Sequence, residues 1–149
     1  MPIPIDGMSD AEVVEFLRVP RLAQLATLNR DGSPHLTPVW FEYVDGEFLT
    51  TIEAGTVKRF NLERDPRVAM CVAGEQTPYK AVTVYGIATL SEAGEKEALL
   101  RQAQRYLGQE RGQSFFDFVK NGAGRLVRIR PERIVSWDRA KRDAAVAAS

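Results

Sequence analysis

Arg21–Ile52, RLAQLATLNRDGSPHLTPVWFEYVDGEFLTTI, decides the fold. Three segments rich in apolar, β-branched and aromatic residues are separated in it by Arg30-Asp31-Gly32 and by Asp45-Gly46. Asp-Gly between such segments supplies the positive φ values that a tight hairpin needs. The expectation is three strands, at 21–29, 34–44 and 47–52, forming an antiparallel meander.

Outward from this stretch, strands outnumber helices. Ser9 and Glu12 form a capping box for a first helix, whose apolar stripe is Val13, Val14, Phe16 and Leu17 and whose stop is Pro20. A short helix over 56–64 ends at Asp65-Pro66, because the residue before proline avoids helical geometry. Strands follow at 67–73 and 80–90, the second carrying Gly86, which marks a bulge or bend. An amphipathic helix over 91–107, capped by Ser91, and a short helix over 114–119, ended by Asn121-Gly122, come next. Strands at 125–130 and 134–137 flank Pro131, and an Ala-rich tail frays over 144–149. Many short strands with few helices predict a mainly β fold, a small antiparallel barrel in one domain over 1–149.

The 149 residues are 44% hydrophobic and 27% charged, the balance of one soluble globular domain. No window approaches the ~20 apolar residues of a membrane span, and no signal-like segment opens the chain. The expected address is cytoplasmic, with no membrane partner. One cysteine, Cys71, forms no internal disulfide and reads as a buried, inert strand thiol. Net charge is zero, yet residues 1–100 hold 9 basic against 15 acidic side chains and residues 101–149 hold 11 against 5. The basic third is read as solvated surface. A nucleic-acid groove would interleave aromatics with its arginines, and only Trp137 follows Phe118.

Chemistry-bearing residues are few. His35 is the lone histidine, which rules out a two-histidine metal site, so no metal is expected, and no nucleophile-elbow, zincin or P-loop motif occurs. One constellation stands apart: Thr50 and Thr51 end a strand, and Gly55, Thr56, Lys58, Arg59 and Asn61 fall across the next helix start. Free amides, a positive dipole end, hydroxyls and cations suit a phosphate. The same residues read equally as a solvated helix start. A second cluster is Thr37-Pro38-Val39-Trp40, where proline inside a strand marks an edge or a docking place for a planar ring; an ordinary core strand is the alternative.

Taken in order, Gln24–Leu28, Asp31–His35 and Thr37–Trp40 resemble the opening of the pyridoxamine phosphate oxidase-like, FMN-binding split β-barrels. Lys58, Asn61-Leu62 and Asp65-Pro66-Arg67-Val68 are similar to their phosphate-side motif. The likeness runs from about residue 9 to 137 and is nearest to the flavin/deazaflavin oxidoreductases, whose members often use coenzyme F420. It implies a homodimer with two cofactor sites at the subunit interface. Thr51, Thr56, Lys58 and Asn61, with Arg59 at a less constant position, would hold the cofactor phosphate. Thr37, Pro38, Val39 and Trp40 would face the ring, and Tyr79 and Lys80 would approach from the facing side. Pyridoxamine phosphate oxidases proper carry a late histidine that this chain lacks after His35. The expected activity is therefore hydride transfer from coenzyme F420 to a small organic acceptor. An FMN-dependent oxidase or reductase and a non-catalytic flavin or deazaflavin carrier are the alternatives.

Overall fold

Ser9 accepts from the Glu12 amide at 3.2 Å while the Glu12 carboxylate accepts from the Ser9 amide at 3.0 Å, so the capping box forms as read. It opens α1 (Asp10–Leu17), which buries Val13, Phe16 and Leu17 and leaves Val14 exposed. The structure, a computed structural model, describes residues 5–149. After α1 come β1 (Ala23–Leu28), β2 (Pro34–Val39), β3 (Glu42–Val44), β4 (Glu47–Glu53) and α2 (Val57–Arg64). Then follow β5 (Arg67–Ala73), β6 (Lys80–Ser91), α3 (Glu95–Leu107), α4 (Gln109–Val119), β7 (Gly124–Asp138) and α5 (Arg139–Ala148).

The seven strands form one sheet in the order β2-β1-β5-β6-β7-β4-β3, every neighbouring pair antiparallel. β2 and β3 are its two edges, yet only Trp40 and Phe41 separate them in the chain. Three residue steps reach about 11 Å, far less than the width of seven strands spaced about 4.8 Å apart. The sheet must therefore curl until its edges come together, which makes it the half-barrel of a split barrel. Inside the curl Leu25, Phe41, Phe48, Met70, Val82, Val84 and Ile129 are almost fully buried. Each such side chain contributes roughly 1.5–3 kcal/mol.

The curl corrects the expected meander. Both hairpins form, β1 with β2 and β3 with β4, but β2 and β3 do not pair. The apolar run 34–44 breaks because side chains satisfy its backbone. Thr50 Oγ1 donates to the Trp40 carbonyl at 2.6 Å, the Phe41 amide donates to Tyr106 Oη at 3.1 Å, and Arg105 Nε donates to the Phe41 carbonyl at 3.1 Å. Asp45 and Gly46 take positive φ, 51° and 80°, as the second hairpin requires.

Four further boundaries differ from expectation. Strands 125–130 and 134–137 are one strand, β7, because Pro131 lies beyond the end of β4 and opposite the Tyr85/Gly86 bulge of β6, where no ladder donor is needed. Ser91 still pairs with Leu126, so it caps nothing; α3 begins after Gly94, at φ 81°. Gln109–Val119 is a full helix rather than a short one, and residues 144–148, read as a frayed tail, are helical in α5. Cys71 is half-buried, not fully enclosed.

Candidate functional site

β4 delivers Thr51, Ile52 and Glu53 to the floor of a groove of about 870 Å³, within the usual range for small-molecule sites. The register pairs Thr51 with Leu126 and Glu53 with Gly124, and the Ala54 amide donates to the Ala123 carbonyl at 3.0 Å. The groove therefore runs from Trp40 at the β2–β3 break to the loop joining β4 and α2, with α4 along one side.

Its two ends differ in chemistry. Trp40 stacks on Tyr106, with centroids 5.1 Å apart and planes 10° from parallel, and meets Phe115 at 5.4 Å. Pro38, Val39 and Leu22 continue this apolar end. Phe118 of α4, 89% exposed, also lines the groove. At the far end stand Gly55, Thr56 and Lys58, faced by Glu95 and Lys96 of α3.

The helix start here leaves its first-turn amides uncapped by any side chain. Thr56 is the N-cap of α2, but its hydroxyl donates backwards to the Glu53 carbonyl at 2.8 Å, so no side chain caps the amides of the first turn. Those amides carry the positive end of the helix dipole. Lys58, in that turn, makes no hydrogen bond or ion pair among the described residues, and burial pushes its ammonium below its ordinary value, partly offset by Glu53. A partly buried cation without a partner beside free amides fits the phosphate of a flavin-type cofactor. On edge strand β2, just outside the lining, Thr37 Oγ1 and His35 Nδ1 are enclosed yet unpaired, the condition that a ligand or a partner chain would relieve.

Of the residues singled out from the sequence, Pro38, Val39, Trp40, Thr51, Thr56 and Lys58 line this one groove. Thr51 Oγ1 is tied to the buried Gln102 at 3.3 Å. Thr37 is half-buried one position before the lining. The other four are not brought to the groove. Arg59 lies over the Phe60 ring at 4.0 Å, bonds the Ala54 carbonyl and pairs with Glu63 at 2.9 Å. Asn61, 3% exposed, donates to Thr27 Oγ1 and Asn29 Oδ1, both at 3.0 Å, which ties α2 to β1. Tyr79 and Lys80 open β6 at its other end, and Lys80 reaches Asp138 at 3.8 Å. Glu95, Lys96, Phe115 and Phe118 were missed. They sit on α3 and α4, and their sequence reads simply as amphipathic helix.

The pyridoxamine 5′-phosphate oxidase family profile matches residues 9–138. The chain belongs to this family. It is 29% identical over 133 residues, 83% of this chain and 79% of the relative, to the 5a,11a-dehydrotetracycline/5a,11a-dehydrooxytetracycline reductase of Streptomyces rimosus subsp. rimosus. Among solved structures, a conserved hypothetical protein of Mycobacterium tuberculosis is 35% identical with a TM-score of 0.78, covering 95% of this chain and 92% of that one. A structure described as an F420 reductase is 22% identical with a TM-score of 0.67, covering 80% and 93%, a likeness of fold.

Proposed function

We propose that this family member is an oxidoreductase that binds reduced coenzyme F420 and passes a hydride to a small organic acceptor. The observation that carries it is the groove itself, which joins an uncapped helix start holding an unpartnered Lys58 to an aromatic wall built on Trp40. The relative whose name states a reductase supports the reaction class. When bound, the deazaflavin supplies the hydride; the protein supplies position, electrostatics and exclusion of water.

Lys58 and the first-turn amides of α2 hold the phosphate, with the Thr51 and Thr56 hydroxyls beside them. Arg59 closes the Ala54 carbonyl against α2, and Asn61 anchors the helix on β1, so these two place Lys58. Thr37, Pro38, Val39 and Trp40 face the ring, and Phe115 and Phe118 shield it from water. Two copies of the chain pair so that exposed apolar residues such as Leu36, Val57 and Phe60 are covered. Tyr79 and Lys80 of the facing copy then approach the ring, and either one or water returns the proton that the acceptor needs. The setting is cytoplasmic; among the described residues no helix is long and apolar enough to cross a membrane.

Titration of the purified protein with coenzyme F420 and with FMN, followed by fluorescence, tests the cofactor. Tighter binding of F420, with oxidation of its reduced form when a quinone is added, is expected. FMN binding alone would replace the deazaflavin, and tight F420 binding without turnover over a broad acceptor panel would make the protein a carrier.

A further inference from the structure

Glu95 is 5% exposed and lines the groove. It stands at the first residue of α3, where the positive helix end favours an anion. Gly124 packs directly against the carboxyl group, and a Cβ there would stand 2.7 Å from Glu95 Cδ, closer than real Cβ contacts allow. Lys96 Nζ holds Oε2 at 3.1 Å while it donates to the Gly122 carbonyl at 2.5 Å. No other hydrogen bond reaches the carboxylate among the described residues, although an ionised carboxylate offers about four acceptor sites. Buried polar groups with spare capacity are normally satisfied. The groove is where a donor can come from.

We propose that Glu95 accepts hydrogen bonds from the hydroxyls of a ligand's polyol chain, selecting cofactors that carry a hydroxylated linker between ring and phosphate. This rests on the cofactor site proposed above. Lys58, Trp40 and Glu95 line the same groove, with Glu95 beside Gly124, the β7 partner of Glu53 at the end of β4. A carboxylate beside a phosphate would repel it, so Glu95 acts on the neutral, donor-bearing stretch next to it. Lys96 holds Oε2, and Oε1 lies against Gly124, which itself lines the groove.

The test compares two probes, 8-hydroxy-5-deazariboflavin 5′-phosphate and its N10-(5-phosphopentyl) analogue, which keeps ring and phosphate and lacks the chain hydroxyls. Dissociation constants are read by fluorescence for the wild-type chain, Glu95→Ala and Glu95→Gln. The wild type should bind the hydroxylated probe about tenfold or more tightly than the analogue. Glu95→Ala should abolish that preference while changing the analogue's affinity by less than about twofold. Glu95→Gln, which keeps an acceptor oxygen and the volume, should fall between and serves where the Ala variant does not fold. Equal loss for both probes would mean a structural residue and overturn the assignment. So would a wild type that does not distinguish them, or a preference that survives both substitutions. A preference that behaves as expected in a protein without hydride transfer would refute the oxidoreductase reading and leave Glu95 standing.

Discussion

The Trp40 indole lies nearly parallel on the Tyr106 phenol, 10° between planes, while the same phenol hydroxyl donates to the Arg21 carbonyl at 2.6 Å and accepts from the Phe41 amide at 3.1 Å. One side chain of α3 therefore both closes the break between the sheet edges and sets the plane of the groove's aromatic wall. Burial pushes the Tyr106 hydroxyl above its ordinary value, opposed by its hydrogen bond at Phe41, so it works as a neutral group at physiological pH.

Tyr106→Phe removes the two short hydrogen bonds of the hydroxyl, and a longer one to the Phe41 carbonyl at 3.4 Å, and keeps the stack. At about 0.5–1.5 kcal/mol each, the loss should be about 1–3 kcal/mol in urea unfolding, with Trp40 emission little changed. Tyr106→Leu removes the stack as well and should shift that emission and weaken cofactor binding. A Leu variant that binds cofactor as the wild type does would separate Trp40 from the site.

Arg105 spans three elements. Its guanidinium donates to the carbonyls of Leu17 and Arg18, both at 2.8 Å, and to Phe41 at 3.1 Å, capping the last turn of α1 while holding the strand break. Arg105→Ala strands these carbonyls and should cost about 2–4 kcal/mol. Arg105→Lys should recover only a part, because an ammonium cannot reproduce the fork. Full rescue by lysine in chemical denaturation would refute the account.

Gly86 is the point where β6 bulges against β7, and a Cβ there would run into the Arg130 carbonyl and approach its carbon to 3.1 Å. Both neighbours are backbone in a paired strand and cannot step aside cheaply. Gly86→Ala should destabilise by about 1–3 kcal/mol, whereas Gly55→Ala, with no atom near the added carbon, should change thermal stability little.

The hairpins, the capping box and the short helix α2 were legible because each rests on neighbours in sequence: Asp45 with Gly46, Ser9 with Glu12, Asp65 with Pro66. What stayed hidden depends on partners far along the chain. The break at Trp40-Phe41 exists because Thr50, Arg105 and Tyr106 satisfy its backbone, the latter two more than sixty residues away. Pro131 does not divide β7 because β4 ends before it, a fact of register that no local pattern carries. The α3 and α4 side of the groove was missed for the same reason, since Glu95 and Phe118 come to line it only once these helices fold against the sheet.

Lys58 offers a test in which the functional and the merely structural accounts predict opposite outcomes. Its ammonium is partly buried and unpaired among the described residues, and desolvation depresses its pKa below 10.5. The folded chain thus gives up this proton before the unfolded chain does. Between the depressed folded value and 10.5 the unfolded state binds more protons, so the Lys58 contribution to stability rises with pH across that alkaline window. Lys58→Met should remove the rise and leave the neutral-pH apo protein as stable as the wild type or slightly more so. The same substitution should weaken cofactor binding by about ten- to a hundredfold, the equivalent of losing a charge-assisted hydrogen bond of roughly 1.5–3 kcal/mol. A buried lysine with no part in binding would show the first effect and not the second. Thermal melts of the apo protein at neutral and alkaline pH, beside fluorescence titration of cofactor at neutral pH, read both. Unchanged affinity in Lys58→Met would remove the phosphate from the start of α2, and the groove would then need a ligand anchored at its aromatic end alone.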